Sequence, residues 1–297
     1  MTFPCLALLT DFGVTDPYVG VMKAVFTSMI PTPTVPILDL CHGIRPHAIE
    51  QGAWVLESAL DYLPPQTVTV AVVDPNVGSP QQGKRLVYWP ERQQGFIGPD
   101  NGLLTPVLAA AGPLAKVYDI NQPRLFRQPL WSQEDAPVSQ TFHGRDCYVP
   151  VAAHLIKALL SQDHETFLTQ LGTDNAPIHR LIWAAPTQTD QGTTGQIRTI
   201  DQYGNLVTNI PASWLFHTAL SRPMPLQLAL GGHRHPATLV DSYQAGSQSG
   251  TTLFVVAGSH GRLEIASYCQ PAADLLPSKI GDSIDIQPLS SPDAPYK

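Results

Sequence analysis

TVTVAVVDPN, residues 67–76, is the stretch on which the fold turns. Thr67–Val73 is a β-rich run without a charge, broken at once by the turn formers Asp74-Pro75-Asn76. It reads as a buried strand with a polar group set at its carboxyl end. Working outward, the same rhythm recurs. Leu6–Leu9 is a short apolar run ending at Thr10-Asp11-Phe12-Gly13. Asp16-Pro17 then reads as a helix N-cap followed by proline at the first helical position, and Val19, Met22, Phe26 and Met29 follow at helical spacing. Val35–Leu40 is a second strand, and Ile49, Ala53, Leu56, Leu60 and Leu63 mark a second helix. Leu86–Trp89 and Phe96-Ile97 read as strands, Leu103–Ala111 and Tyr148–Leu160 as helices. This alternation predicts an α/β fold over residues 1–180, with a mainly parallel sheet and helices on both faces.

The rhythm changes near residue 180. PTQTDQGTT at 186–194 is polar and turn-rich. Beyond it come short strand-like runs at Gln196–Ile200, Leu226–Leu230, Ala237–Val240, Thr252–Val256, Leu263–Ala266 and Ser283–Ile286. They predict a smaller, all-β, barrel-like domain over 181–297. There is no internal repeat, and 290–297 reads as a loose tail.

Composition sets the outer limits. With 297 residues, 43% hydrophobic and 14% charged, the chain has material for one large core or two ordinary ones. A net charge of −7 argues against a broadly basic nucleic-acid surface. No run approaches the roughly 18–20 apolar residues of a membrane span. MTFPCLALLTDFG lacks a basic leader region and reads as a first strand rather than a signal peptide. Cys5, Cys41, Cys147 and Cys269 are scattered without a C-x-x-C pair, as expected of reduced thiols in a cytoplasmic protein.

Several familiar patterns fail. Asp11-Phe12-Gly13 copies a kinase triplet but has no room before it for an ATP lobe, and no H-R-D loop follows. There is no G-x-G-x-x-G, Walker A loop or G-x-S-x-G. His233-Arg234-His235 follows a Gly231-Gly232 turn, and two histidines alone make a poor metal site, so no metal is expected. Three carboxylates remain where strands end: Asp11, Asp74 and Asp100. Open α/β sheets bind ligands outside the carboxyl ends of their strands, although each aspartate alone reads equally as a turn former. Thr141–Asp146 brings a His, an Arg and an Asp ahead of a helix, and Ile200–Asn209 centres on a tight turn at Gly204-Asn205. The residues by themselves describe a polar pocket with unassigned chemistry.

Six segments together resemble one family, the S-adenosyl-L-methionine (SAM) hydroxide adenosyltransferases, relatives of the fluorinase and chlorinase. They are LTDFGVTDPYVGVMKA at 9–24, VAVVDPNVGS at 70–79, FIGPDNGLL at 96–104, TFHGRDCYVPVAA at 141–153, IDQYGNLVTNI at 200–210 and GSHGRLEIA at 258–266, in family order over nearly the whole chain. The resemblance implies hydrolysis of SAM to adenosine and methionine without a cofactor. It also implies a homotrimer with the substrate held where subunits meet. By the same resemblance Asp11 would hold the ribose hydroxyls, with Asp16 as a secondary contact. Tyr203 would stack on adenine and Asn205 would bond its edge. Asp201 would meet the methionine ammonium and Ser259 its carboxylate. Asp74 and His143, with an arginine, would handle the attacking water.

The match departs in one loop. The family pattern is D-P-G-V-G followed closely by Arg, whereas here Asn76 replaces a glycine, Gln81 stands at the arginine position and Lys84-Arg85 arrive after a short insertion. Arg85 is expected to loop back as the third member, with Lys84 as substitute and Arg145 as a weaker stand-in. His260 stands beside Ser259 where the fluorinase has an arginine. The fluorinase also carries Tyr in place of Asp74 and Tyr-Ser in place of His143-Gly144. A halogenase and a non-catalytic SAM or adenosine binder are the alternatives, the first disfavoured by the carboxylate at 74.

Overall fold

The computed structural model describes residues 3–30, 35–127, 138–216 and 223–289, so the expected loose tail lies outside the described residues. The chain divides into two units, Met1–Leu181 and Ile182–Lys297.

In the first unit β1 (Cys5–Thr10) is buried along its whole length, as is β3 (Thr67–Val72). They pair in parallel, and β2 (Ile37–Cys41) and β5 (Gln94–Pro99) extend the sheet in parallel on either side. β4 (Lys84–Trp89) runs antiparallel to both β5 and β6 (Lys116–Asp119), giving the order β2-β1-β3-β5-β4-β6. Alternate residues then serve two faces. Leu6 and Leu8, Val68, Val70 and Val72, and Leu86 and Tyr88 share a core with Met22 and Phe26 of α1 (Tyr18–Met29) and with Leu155 and Ile156 of α4 (Val149–Leu160). Toward the other face lie α2 (Ile49–Ala59) and α3 (Thr105–Ala111), which pack on each other. Gly52 permits that approach: a Cβ there would lie 2.8 Å from Leu103 and 3.0 Å from Val73. A last helix, α5 (His164–Leu171), packs on α4 and β6.

Three local readings change. α1 begins at Tyr18 with Pro17 in the cap position and no side-chain cap, so Asp16 lies one residue upstream of the cap. β6 and α5 escaped the sequence because four residues show no period and HETFLTQL presents only Phe167, Leu168 and Leu171 to the core. Tyr148 belongs to a turn of π-helix, Gly144–Tyr148, that runs straight into α4.

The second unit is a closed barrel. β8 (Gly192–Ile200), β9 (Leu206–Pro211), β10 (Met224–Leu230), β11 (His233–Leu239), β12 (Leu253–Ala257), β13 (Arg262–Ser267) and β14 (Ser283–Pro288) form it, closed by the β14–β8 pairing, while β7 (Thr187–Thr189) adds to β8 outside the ring. Inward residues such as Leu226, Leu228, Val255, Ile265 and Ile284 fill it. Gly231 and Gly232, at φ 58° and 82°, make the two-residue loop joining β10 to β11, where Leu230 pairs with His233. The His233-Arg234-His235 triplet is the start of β11. β9 escaped the sequence as a strand because its residues read first as the far side of the Gly204 turn.

Candidate active site

Because β4 runs against its neighbours, its first residues arrive at the sheet edge where β1, β3 and β5 end: Lys84 pairs with Pro99, and Arg85 with Gly98 and Asp119. Asp11, Asp74, Asp100, Lys84 and Arg85 therefore collect on one edge. Side chains of adjacent strand residues point to opposite faces. Lys84 shares its face with Leu86 and Tyr88, the face covered by α4; Arg85 takes the other. Arg85, expected to serve the water, is engaged with other groups on that face. Its guanidinium is bound to Asp100 at 2.8 Å and to Asp119, and its Nε donates to the Pro177 carbonyl at 2.9 Å. Asp100 also accepts from the His179 N–H at 2.6 Å. Arg145 is likewise engaged, gripping Asp146 through two bonds of 2.6 and 2.7 Å.

On the α4 face, Asp74 accepts from the Asn76 N–H at 3.2 Å through Oδ1, while its buried Oδ2 has no hydrogen-bond partner among the described residues. Burial pushes its carboxyl above the usual aspartate range; the Asn76 bond and Lys84 oppose that, and Asp11 adds to it. His143 is 4% exposed, at the entry to the π turn. Burial, and then the charge of Lys84, lower its pKa to about 4 against the opposing pull of Asp146. The imidazole is thus neutral at pH 7. It stands edge to face with Tyr148, ring centroids 6.3 Å apart. Lys84 is the cation whose field reaches both Asp74 and His143.

The turn after Asp74 tolerates Asn76 for a simple reason. Asn76 is not left-handed; Gly78 is, at φ 82°, and a Cβ there would collide with the Gln140 carbonyl. Asp11 accepts from the His47 N–H at 2.9 Å. Gly13 N–H bonds the His42 carbonyl at 2.8 Å, and His42 itself bridges Thr10 Oγ1 at 2.8 Å and Asp39 at 3.1 Å. His42, read as a loop residue, is a buried tie between two strand ends. Asp16 is exposed in the loop ahead of α1.

The second unit carries the other expected residues. Asp201 Oδ1 accepts from the N–H groups of Tyr203 and Asn205, each at 2.9 Å, and its Oδ2 accepts from Asn205 Nδ2 at 2.9 Å. Gly204, at φ 79° and packed on Pro271, makes the turn between β8 and β9. Tyr203 and Asn205 line a cavity of about 470 Å³ with Tyr243, Ser267, Tyr268, Cys269, Gln270 and Pro271. Ser259 is exposed at the β12–β13 turn, next to His260. Sequence reasoning missed Tyr243, Tyr268 and Glu264. Tyr243 and Tyr268 are aromatics of short connections that carry no period, and Glu264 is a lone charge inside a strand. Among the described residues no group of three or more His, Cys, Asp or Glu is placed to hold a metal ion.

Residues 6–164 match the N-terminal domain of the SAM hydroxide adenosyltransferases and residues 195–285 match their C-terminal domain. The chain belongs to this family. Among its relatives, a protein of Thermus thermophilus named (R)-S-adenosyl-L-methionine hydrolase is 35% identical over 232 residues, 77% of this chain and 79% of that one. A Salinispora tropica protein of the same name is 31% identical over 283 residues, 95% and 97% of the two chains. Proteins named fluorinase match at 26–27% identity. A solved structure of an uncharacterised conserved protein from Thermotoga maritima superposes on this chain with a TM-score of 0.80 at 30% identity, covering 95% of this chain and 99% of that one.

Proposed function

We propose that this protein hydrolyses SAM, as the names of its relatives state for them, that the products are adenosine and L-methionine, and that Asp74, His143 and Lys84 handle the water. The carrying observation is that the Asp74 carboxyl, with its Oδ2 buried and without a partner among the described residues, and the buried neutral imidazole of His143 both lie in the field of Lys84. The oxygen of a water molecule attacks C5′ of the ribose. The C5′–S bond breaks, its electron pair returns to sulfur, and the sulfonium leaves as the neutral thioether of methionine. The water's proton passes to the Asp74/His143 pair and then to solvent. No acid is needed for the leaving group; what is needed is a nucleophile in line with C5′–S at about 3–3.5 Å and a base for its proton. Lys84 favours the anionic partner of each step, the part expected of Arg85.

Asp11, fixed by His47 N–H, is suited to accept from ribose hydroxyls, with Asp16 nearby in sequence as a secondary contact. Tyr203 and Asn205 take the base in the 470 Å³ cavity; Asp201 and Ser259 take the methionine end. A halide nucleophile is disfavoured, because at about 4 Å from the Asp74 carboxylate it would be repelled by about 4 kcal/mol at an effective dielectric near 20. The working form is a cytoplasmic homotrimer with sites where copies meet, in keeping with the family resemblance.

Incubation with SAM in oxygen-18 water, with and without chloride or fluoride, tests the reading by mass spectrometry. Labelled adenosine, indifferent to halide, is expected; a 5′-halonucleoside or unchanged SAM would overturn it. For the cation, Lys84→Met is expected to lower turnover roughly a hundredfold. Arg85→Met should act mainly on stability. The reverse pattern returns the role to Arg85.

A further inference from the structure

The cavity wall carries a hydrogen-bonded chain that the hydrolytic residues do not use. Glu264, on β13, is 6% exposed. Its Oε1 lies 2.7 Å from His260 Nε2, and its Oε2 accepts from Tyr243 Oη at 2.5 Å. Gly258 makes room for the chain: a Cβ there would collide with both Glu264 and His260. Burial pushes the Glu264 carboxyl up, but the bonds from His260 and Tyr243 outweigh it and hold the group below its ordinary range. Burial and then the bond to Glu264 push the Tyr243 phenol up. A carboxylate only accepts and a protonated phenol has one proton to give, so the Tyr243 proton points at Glu264.

We propose that Tyr243 is a specificity determinant for the base: its proton is committed to Glu264, so its oxygen offers the cavity lone pairs only and selects a purine bearing an exocyclic amine over one bearing a carbonyl there. Glu264 and His260 are the positioning residues that fix this polarity. Asn205 is oriented by the same device, since its Nδ2 must face the Asp201 carboxylate, leaving Oδ1 as an acceptor. Two carboxylates thus turn two polar side chains of one cavity so that both present oxygen. A ligand that answers with an acceptor sets oxygen against oxygen and leaves both unpaired once it covers them from water.

The inference rests on the cavity holding the nucleoside end of the substrate. Calorimetric titration of the full chain with adenosine and with inosine tests it. The unsubstituted protein is expected to bind adenosine about tenfold more tightly or better. Tyr243→Phe should shrink that ratio by weakening adenosine. Glu264→Gln should shrink it from the other side: the carboxamide N–H can bond the phenol oxygen and free its proton to donate, so inosine gains. Equal binding of the two nucleosides by the unsubstituted protein, or a ratio unmoved by both substitutions, overturns the proposal while leaving SAM hydrolysis intact. If SAM is hydrolysed but neither nucleoside binds, the cavity is not the base site and the proposal falls alone. If there is neither hydrolysis nor binding, the functional reading falls with it.

Discussion

A buried carboxylate oxygen without a partner is costly, and Asp74 Oδ2 is one. Asp74 is tied by one backbone N–H and raised by burial, so at neutral pH its ionised form weakens the fold while arming the site. Asp74→Asn separates the two effects. Turnover is expected to fall at least a hundredfold, roughly the weight of a positioned base, while the melting temperature at pH 7 rises by roughly 2–4 °C. Near-normal turnover would remove Asp74 from the mechanism. The sign follows from linkage. A carboxyl raised in the folded state lends stability below its unfolded value and loses it as pH rises through the folded one. His143 works the other way. Its folded value of about 4 lies below the ordinary 6.5, so the unfolded chain binds more protons between those values and stability is lost as pH falls across that window. His143→Gln should flatten the melting temperature between pH 6.5 and 4; an unchanged slope would show that the imidazole is not buried neutral. Tyr148 adds a third case: its hydroxyl is wholly buried and has no partner among the described residues. Tyr148→Phe should raise the melting temperature by roughly 2–4 °C, whereas a drop would reveal that internal water satisfies the phenol.

At the scale of elements, the positions of the candidate carboxylates were legible because they lie where a strand stops. Asp11, Asp74 and Asp100 follow β1, β3 and β5 as the chain pattern indicated, and Gly204 makes the turn that Asp201 caps. What was not legible needed a partner strand to be seen. The choice between Lys84 and Arg85 depends on which face of β4 meets α4, and two adjacent cations in a sequence give no sign of that. The Glu264 chain is equally silent, since its ends are 21 and 4 residues away along the sequence. The Gly204 turn invites its own test. Ala there must take φ near 79° against Pro271, so Gly204→Ala should cost roughly 2 kcal/mol or more in urea unfolding and weaken adenosine binding. An unperturbed variant would mean that the turn relaxes freely and does not hold Tyr203 and Asn205 in place.

The whole molecule is two folding units, each with its own apolar core, and each holding one half of the residues assigned to SAM. If those halves come from different copies, dilution should reduce activity per chain as the assembly dissociates. Sedimentation across a concentration series, read beside turnover, checks this; a fully active monomer would defeat the shared site. The barrel was legible as a class from its evenly spaced short strands, but its closure by β14 on β8 was not, because nothing local to either strand names the other.

The reversed direction of β4 has a historical meaning as well. Lys84 stands where it does because the ladder sets it opposite Pro99, not because of its distance along the chain from Asp74. The peptide between them is slack line between two fixed moorings. A lineage is therefore free to lengthen or shorten it without displacing the charge, and the short insertion ahead of Lys84 in this chain is compatible with that freedom.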